Sequence, residues 1–305
     1  MISYKGRRGD KEEEGMITEK AYAKINLSLD VTGKRPDGYH DVRMIMQTVD
    51  IFDELTFEKS ADGITIDVGG SPLPIDKDNL IFKAASAVME KCHVTEGVKI
   101  TLDKHIPIAA GMAGGSSDAA ATLRGVNRLF ECGLSVNELR NMGVKIGADV
   151  PYCVEGGTVL AEGIGEKLTG LRDLPPLCLA VAKPKRGVST GNIYKSLDEI
   201  FENVSHPHVD AMLEAMENRP GKDFIRYLGN ILEYVTIPLC PEVDDIKKIF
   251  EKSGCEGTLM TGSGPTVFAF FDTEEKAEKA LSEVRNTGIC NPEETFVTHL
   301  INPVY

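Results

Sequence analysis

The sequence has no C-x-x-C pair, no apolar run of the roughly 18 residues a bilayer span needs, and no excess of basic residues, and each lack removes a class of protein. Its seven cysteines, at positions 92, 132, 153, 178, 240, 255 and 290, are scattered and odd in number, so a disulfide framework or zinc site is not expected, whereas a reducing, cytoplasmic setting is. Lysine and arginine number 34 against 47 acidic residues, a formal net charge of -13. That argues against a nucleic-acid partner, whose phosphate backbone wants a basic surface. The first 15 residues are polar and mixed in charge, have no apolar signal segment, and are expected to form a flexible extension, with ordered chain from Met16. No membrane partner is expected. Three nucleotide-binding signatures are also missing: the G-x-x-x-x-G-K-[ST] loop, the H-R-D and D-F-G pair, and a Rossmann glycine spacing in a βαβ context.

What is present is ordinary globular balance, 305 residues with 42% hydrophobic and 27% charged side chains, enough for one large domain or two. Residues 22–31 alternate strictly, with Ala23, Ile25, Leu27, Leu29 and Val31 on one side and Tyr22, Lys24, Asn26, Ser28 and Asp30 on the other. That period predicts a strand with one buried face and, by default, one solvated face. Further strand is expected over 44–57 and 98–102, a helix over 79–92, and an alanine-rich helix over 117–130. Ser135-Val136-Asn137-Glu138 is a capping box opening a helix that ends near Gly147. A strand over 156–160 precedes Pro175-Pro176, and a boundary near 165–175 separates an N-terminal unit, 16–170, from a C-terminal one, 171–305. The second unit mixes helices (208–217, 222–234, 241–253, 273–286) with strands (177–182, 258–260, 266–271, 295–301). The class is α+β in two domains, not regular βαβ alternation.

The strongest chemical signal is Pro107-Ile108-Ala109-Ala110-Gly111-Met112-Ala113-Gly114-Gly115-Ser116-Ser117-Asp118, running into the alanine-rich helix. Glycines let backbone approach an anion, and the free N–H groups of a helix start attract phosphate. Thr261-Gly262-Ser263-Gly264-Pro265 is a second glycine-rich segment, equally readable as a tight turn or as a second ligand-facing loop. Asp149, in Gly147-Ala148-Asp149-Val150-Pro151, lies just past a helix end, as a cap or a partly buried functional acid. Tyr39-His40 follows the Pro36-Asp37-Gly38 turn, as a stacking platform or a strand start. The other histidines (93, 105, 206, 208 and 299) show no metal-ligand spacing, and no protein metal site is expected.

Together these motifs resemble the GHMP kinases (galactokinase, homoserine kinase, mevalonate kinase, phosphomevalonate kinase). Ala23-Lys24-Ile25-Asn26-Leu27 and Gly33-Lys34-Arg35-Pro36-Asp37-Gly38-Tyr39-His40 are similar to the family's opening in the branch whose acceptor carries a cytidine diphosphate. Pro107 to Ser117 resembles the ATP loop, Gly147 to Pro151 the catalytic-acid segment, and Leu259-Met260-Thr261-Gly262-Ser263-Gly264-Pro265 the third motif. The four stand in family order, from about residue 21 to 271.

The resemblance implies an N-terminal ATP-loop domain on a mixed sheet with a left-handed βαβ crossover, a ferredoxin-like C-terminal domain, and a substrate cleft between them. It implies ATP as phosphate donor, accompanied by Mg2+, and a small alcohol acceptor, a methylerythritol linked to cytidine diphosphate. Asp149 would be the general base and Lys24 its charge partner. Pro107, Gly111, Met112, Ala113, Gly114, Gly115, Ser116 and Ser117 would form the phosphate loop, with Asn79 and Lys104 near the nucleoside. Asn26, Tyr39, His40, Thr190, Tyr194, Gly262 and Gly264 would face the acceptor, the two tyrosines flanking its base. A monomer or weak homodimer is expected. A ligand sensor of the same fold would lose Lys24 or Asp149, and both are present. The chain departs from the family pattern at Met112-Ala113, where Leu-Gly is common; one glycine fewer should stiffen the loop.

Overall fold

The computed structural model describes residues 15–218, 221–303 and 305; apart from Gly15, the expected extension lies outside the described residues. The chain opens with a long antiparallel pair, β1 (Met16–Lys34) and β2 (His40–Ser60), joined at the Pro36-Asp37-Gly38 turn. Then come β3 (Ile64–Asp67), α1 (Leu80–Lys91) and β4 (Gly97–Asp103), with β3 and β4 parallel and α1 as their crossover. Next are α2 (Gly114–Leu129), α3 (Val136–Val144), α4 (Val150–Glu155), and the hairpin of β5 (Thr158–Gly163) with β6 (Lys167–Gly170). The second half holds β7 (Cys178–Pro184), α5 (Thr190–Ile200), α6 (Val209–Asn218), β8 (Gly229–Asn230), α7 (Glu233–Leu239), α8 (Glu242–Lys252), β9 (Gly257–Met260), β10 (Val267–Phe271), α9 (Glu274–Asn286) and β11 (Cys290–His299).

Two sheets organise these elements. The first runs β3-β4-β2-β1-β8, with β5 on β2 and β6 on β5. Strand β2 is long because its two parts serve different neighbours, Val42–Gln47 pairing with β5 and Glu54–Ser60 with β4. The second sheet runs β11-β7-β10-β9, antiparallel throughout. Counted in chain order within the sheet this is 4-1-3-2, the ferredoxin-like arrangement, and α8 and α9 supply buried residues such as Ile246, Phe250, Leu281 and Val284.

The apolar side of β1 (Ala23, Ile25, Leu27) belongs to the same buried cluster as Leu179, Val181, Phe268 and Phe270 of the second sheet. One apolar layer therefore joins the two sheets. At roughly 25 cal/mol per Å² of buried apolar surface, such a layer is the main force holding them together.

The polar face of β1 is the principal correction to the pattern-based reading. Lys24, Asn26, Ser28 and Asp30 are all buried, not solvated. Register shifts bracket Lys24 and Asn26 in the β1–β2 ladder, and such bulges re-aim strand groups. The Lys24 amide donates to the Met112 carbonyl (3.2 Å) and the Asn26 amide to Thr261 Oγ1 (2.9 Å). Short β8 pairs with β1 at Ser28 and Leu29, so the neighbouring stretch of β1 is free to hold both glycine-rich loops.

Other differences are local. The helix expected over 222–234 is instead a 3₁₀ turn at Asp223–Tyr227, then β8, then α7. Asn230 breaks it by sending its side-chain amide to the carbonyls of Met260 and Gly262 (both 2.8 Å). Helices α4 and α5 and strands β3 and β6 were not expected; α4, β3 and β6 are short, whereas α5 carries a helical apolar period (Ile193, Leu197, Ile200) that the pattern-based reading missed. The capping box forms as read, with Ser135 and Glu138 bonding each other's backbone N–H groups. No helix among the described residues is long and apolar enough to cross a membrane.

Candidate active site

Both glycine-rich loops close on one cavity of about 930 Å³. A Cβ on Gly111 would collide with the Thr261 carbonyl, and one on Gly262 would lie 2.7 Å from the Gly111 carbonyl. Both glycines have positive φ (+71° and +59°), so the contact needs residues without side chains that tolerate that backbone region. The second loop is thus docked on the first, and its Gly262 and Ser263 line the cavity.

Helix α2 begins at Gly114, with Ala113 as its N-cap in the left-handed region (φ 59°, ψ 26°). Pro107, Gly111, Ala113, Gly114, Gly115 and Ser116 line the cavity, and the free N–H groups of the first helical turn face the same end. Met112 does not line it; its side chain is buried. Ser117 does not either, because its hydroxyl donates to the Tyr22 carbonyl (2.6 Å).

The Lys24 ammonium donates to Asn26 Oδ1 (2.7 Å) and the Gly111 carbonyl (3.0 Å), and its third donor has no partner among the described residues. Lys24 and Asp149 both line the cavity, but no ion pair within 4 Å joins them among the described residues; the implied direct charge pair is replaced by this anchoring of Lys24 to β1 and the loop. Both charges act on the buried Cys153 thiol, Asp149 raising and Lys24 lowering its pKa beneath the larger rise from burial. Asp149 precedes α4, whose start is fixed by Pro151. A Cβ on Gly147 would lie 3.8 Å from Ser116 Oγ, so the acid segment and the phosphate loop are neighbours.

Lys104 reaches the cavity between two carboxylates, ion-paired to Asp53 and to Asp118 Oδ2 (2.9 Å). Asp53 also accepts the backbone N–H groups of His105 (2.6 Å) and Ile106 (2.7 Å). Asp118 has no such support: Oδ1 has no hydrogen-bond partner among the described residues, and burial pushes its carboxyl well above the usual range against the opposing pull of Lys104. Asn79 caps α1, accepting from the Ile81 amide (2.8 Å) and donating to the Pro74 carbonyl (2.5 Å). It is absent from the cavity lining, where Leu73 and Leu80 stand instead.

At the other end, His40 Nε2 bonds Asp198 Oδ1 (2.7 Å) and its ring packs on Tyr194 (centroids 5.0 Å, 36° between planes). Lys34 also pairs with Asp198 (2.5 Å); these two bonds, Lys34 first, hold its carboxyl below the usual range. Burial, with a smaller contribution from Asp149, pushes the Tyr194 phenol up. Tyr39 is exposed at the rim, and no Tyr39–Tyr194 ring pair is formed among the described residues, Tyr194 resting on His40 instead. Thr190 bonds Ser263 hydroxyl to hydroxyl (2.7 Å). Asn26, Thr190 and Gly262 line the cavity, whereas Gly264 does not.

Sequence reading thus missed Asp53, Asp118, Asp198 and Ser263 as members of the site. Asp118 adjoins the Ser-Ser pair, Ser263 lies within the second glycine-rich segment and Asp198 follows Tyr194 by one helical turn, so each carried a usable signal; Asp53 stands far from any motif. Among the described residues no three histidine, cysteine or acidic side chains cluster as a metal site.

A glycine-rich helix start, a lysine and an acid on one cavity, and a ferredoxin-like second unit define a small-molecule kinase. The chain belongs to the GHMP kinase family: residues 79–157 match the model for the GHMP kinases N terminal domain and residues 212–290 that for GHMP kinases C terminal. Within that family it is 48% identical, over 93% of its length and 98% of the other's, to a protein of Exiguobacterium sibiricum named 4-diphosphocytidyl-2-C-methyl-D-erythritol kinase. A protein of the same name from Lachnoclostridium phytofermentans is 47% identical over 88% of this chain and 93% of that one. The crystal structure of a 4-(cytidine 5'-diphospho)-2C-methyl-D-erythritol kinase superposes with a TM-score of 0.78 at 30% identity, covering 93% of this chain and 99% of that one.

Proposed function

We propose that this kinase transfers the γ-phosphate of ATP to the 2-hydroxyl of 4-diphosphocytidyl-2-C-methyl-D-erythritol, giving the 2-phosphate and ADP, a step in the non-mevalonate route to isoprenoid precursors. The observation that carries the reading is that Lys24 and Asp149 share one cavity with the α2 phosphate loop at one end and with His40 and Tyr194 at the other. The names borne by the close relatives agree with it.

In this mechanism the amides of Gly114, Gly115 and Ser116 receive the β- and γ-phosphates, and Lys104 serves the nucleotide from the side. Phosphoryl transfer places little covalent demand on the protein, so catalysis is positioning and charge stabilisation. Asp149 takes the proton of the acceptor hydroxyl as its oxygen attacks the γ-phosphorus. The third donor of Lys24 stabilises the charge spread over the transferred group. Mg2+ suits a site of few protein oxygens, since it keeps phosphate oxygens and water as its main ligands; Ser116, Asp118 and Asp149 are the oxygen-bearing side chains that fit, and the ion would neutralise phosphate charge. Tyr39, His40 and Tyr194 serve the cytosine, and Asn26, Thr190 and Gly262 the remainder of the acceptor. The catalytic unit divides into residues 16–170 and 171–305, apart from β8, which the second half lends to the first sheet. The reading includes a cytoplasmic setting and a monomer or weak homodimer.

A coupled ADP-release assay over a panel of alcohols tests this. Turnover should require the cytidine-bearing alcohol and stay at background with mevalonate, homoserine or galactose; robust turnover of any of those three would overturn the assignment. Asp149→Ala should lower kcat by roughly 10²–10⁴ with ATP binding largely kept, and a kcat within a few-fold of the parent would make Asp149 structural.

A further inference from the structure

The phosphate loop and Asp149 open two different helices, and one side chain remote from the cavity joins those helices. Arg124 lies on α2 about 15 Å beyond its start, at 1.5 Å of rise per residue. Its Nη1 donates to the Cys153 carbonyl (3.0 Å), in the last turn of α4, where carbonyls have no partner inside the helix. Its Nη2 donates to the Lys20 carbonyl (2.9 Å) and its Nε to Glu19 Oε2 (3.0 Å), both on β1. The other oxygen of Glu19 takes Arg128 (2.6 Å), and the Tyr305 ring covers the guanidinium at 3.7 Å. Arg124 and Glu19 are each 7% exposed.

Helix α4 has six residues, too few to hold its own shape in water, where isolated helices below about 12 residues are marginal. Its position comes from outside bonds. Tyr152 ties it to β2 through Thr48 (2.9 Å), and Arg124 ties it to α2. Arg140 also pairs its Glu155 to α3 (3.0 Å), and among the described residues it is Arg124 whose hydrogen bond joins it to the helix that carries the phosphate loop. We propose that Arg124 is a positioning residue for phosphoryl transfer: by clamping the end of α4 to α2 and β1 it sets the spacing between Asp149 and the loop at Gly114–Ser116. The inference rests on Asp149 being the base, as proposed above.

The test is the steady-state kinetics of Arg124→Lys and Arg124→Ala, measured well below their melting temperatures with ATP and the cytidine-bearing acceptor. A lysine keeps the Glu19 pair but cannot serve Cys153, Lys20 and Glu19 together. Both variants should lose about tenfold to a hundredfold in kcat, the scale of an ångström-sized misplacement, with both KM values nearly unchanged. A cavity of about 460 Å³ lies against Arg124, so millimolar guanidinium should restore part of the kcat of Arg124→Ala but none of that of Asp149→Ala, while sodium chloride restores neither. A merely structural arginine would lower the melting temperature and leave kcat intact. Arg124→Lys decides the matter even where Arg124→Ala does not fold: a kcat within about twofold of the parent overturns the proposal. Parent protein that does not turn over, or an Asp149→Ala variant at parental rate, would instead strike the functional reading itself.

Discussion

Lys104→Met tests the charge arrangement beside the phosphate loop. The substitution keeps most of the side-chain length and removes the charge shared by Asp53 and Asp118, whose side chains are 0% and 2% exposed. Asp53 keeps its two backbone N–H donors, while Asp118 is left without a partner on either oxygen among the described residues. Breaking a buried ion pair from one side costs about 3–5 kcal/mol. At about 2–4 °C per kcal/mol for a chain of this size, the melting temperature should fall by roughly 10 °C. The loss should also depend on pH. Burial raises the folded-state pKa of Asp118 above its unfolded value, so the folded state binds that proton more tightly, and stability falls as pH rises through the interval between the two. Removing Lys104 takes away the influence that lowers Asp118, so the gap to the parent should widen from pH 5 to pH 8. Lys104→Met/Asp118→Leu should recover much of the loss, since apolar replacement of a whole buried pair is often neutral. Thermal melts of parent, single and double variants across that range check this. A gap that is negligible or flat with pH would refute the reasoning.

Two further outcomes follow from the same geometry. Ala113→Gly should raise the melting temperature slightly, because the left-handed conformation costs a non-glycine residue about 1–2 kcal/mol, more than the roughly 0.5–1 kcal/mol of extra chain entropy glycine loses on folding; a fall in thermal melts would refute it. Tyr194→Ala should raise KM for the acceptor about tenfold or more, at roughly 1–3 kcal/mol per stacked base, while KM for ATP moves little; Tyr39→Ala, at the exposed rim, should have the smaller effect, and parallel loss for both substrates would show that these rings only pack the interface.

Much of the site was legible because its groups travel in contiguous motifs. Glycines next to a helix cap signal anion binding by local backbone chemistry alone, and the structure brings Gly111, Ala113–Ser116, Lys24 and Asp149 to one cavity. The capping box at Ser135 and the helix at 242–252 were legible for the same local reason. Tertiary structure decided the rest. Alternation in β1 could show two faces but not that both are covered, since burial of Lys24 and Asn26 comes from loops almost 90 and 235 residues away. Local pattern also favoured a helix over 222–234, whereas Asn230 spends its side chain on the third-motif loop and breaks it. Asp53, Asp118 and Lys104 mean little singly; only the β2–β4 pairing and the start of α2 set one ammonium between two carboxylates, and no periodicity in a sequence encodes a meeting of that kind.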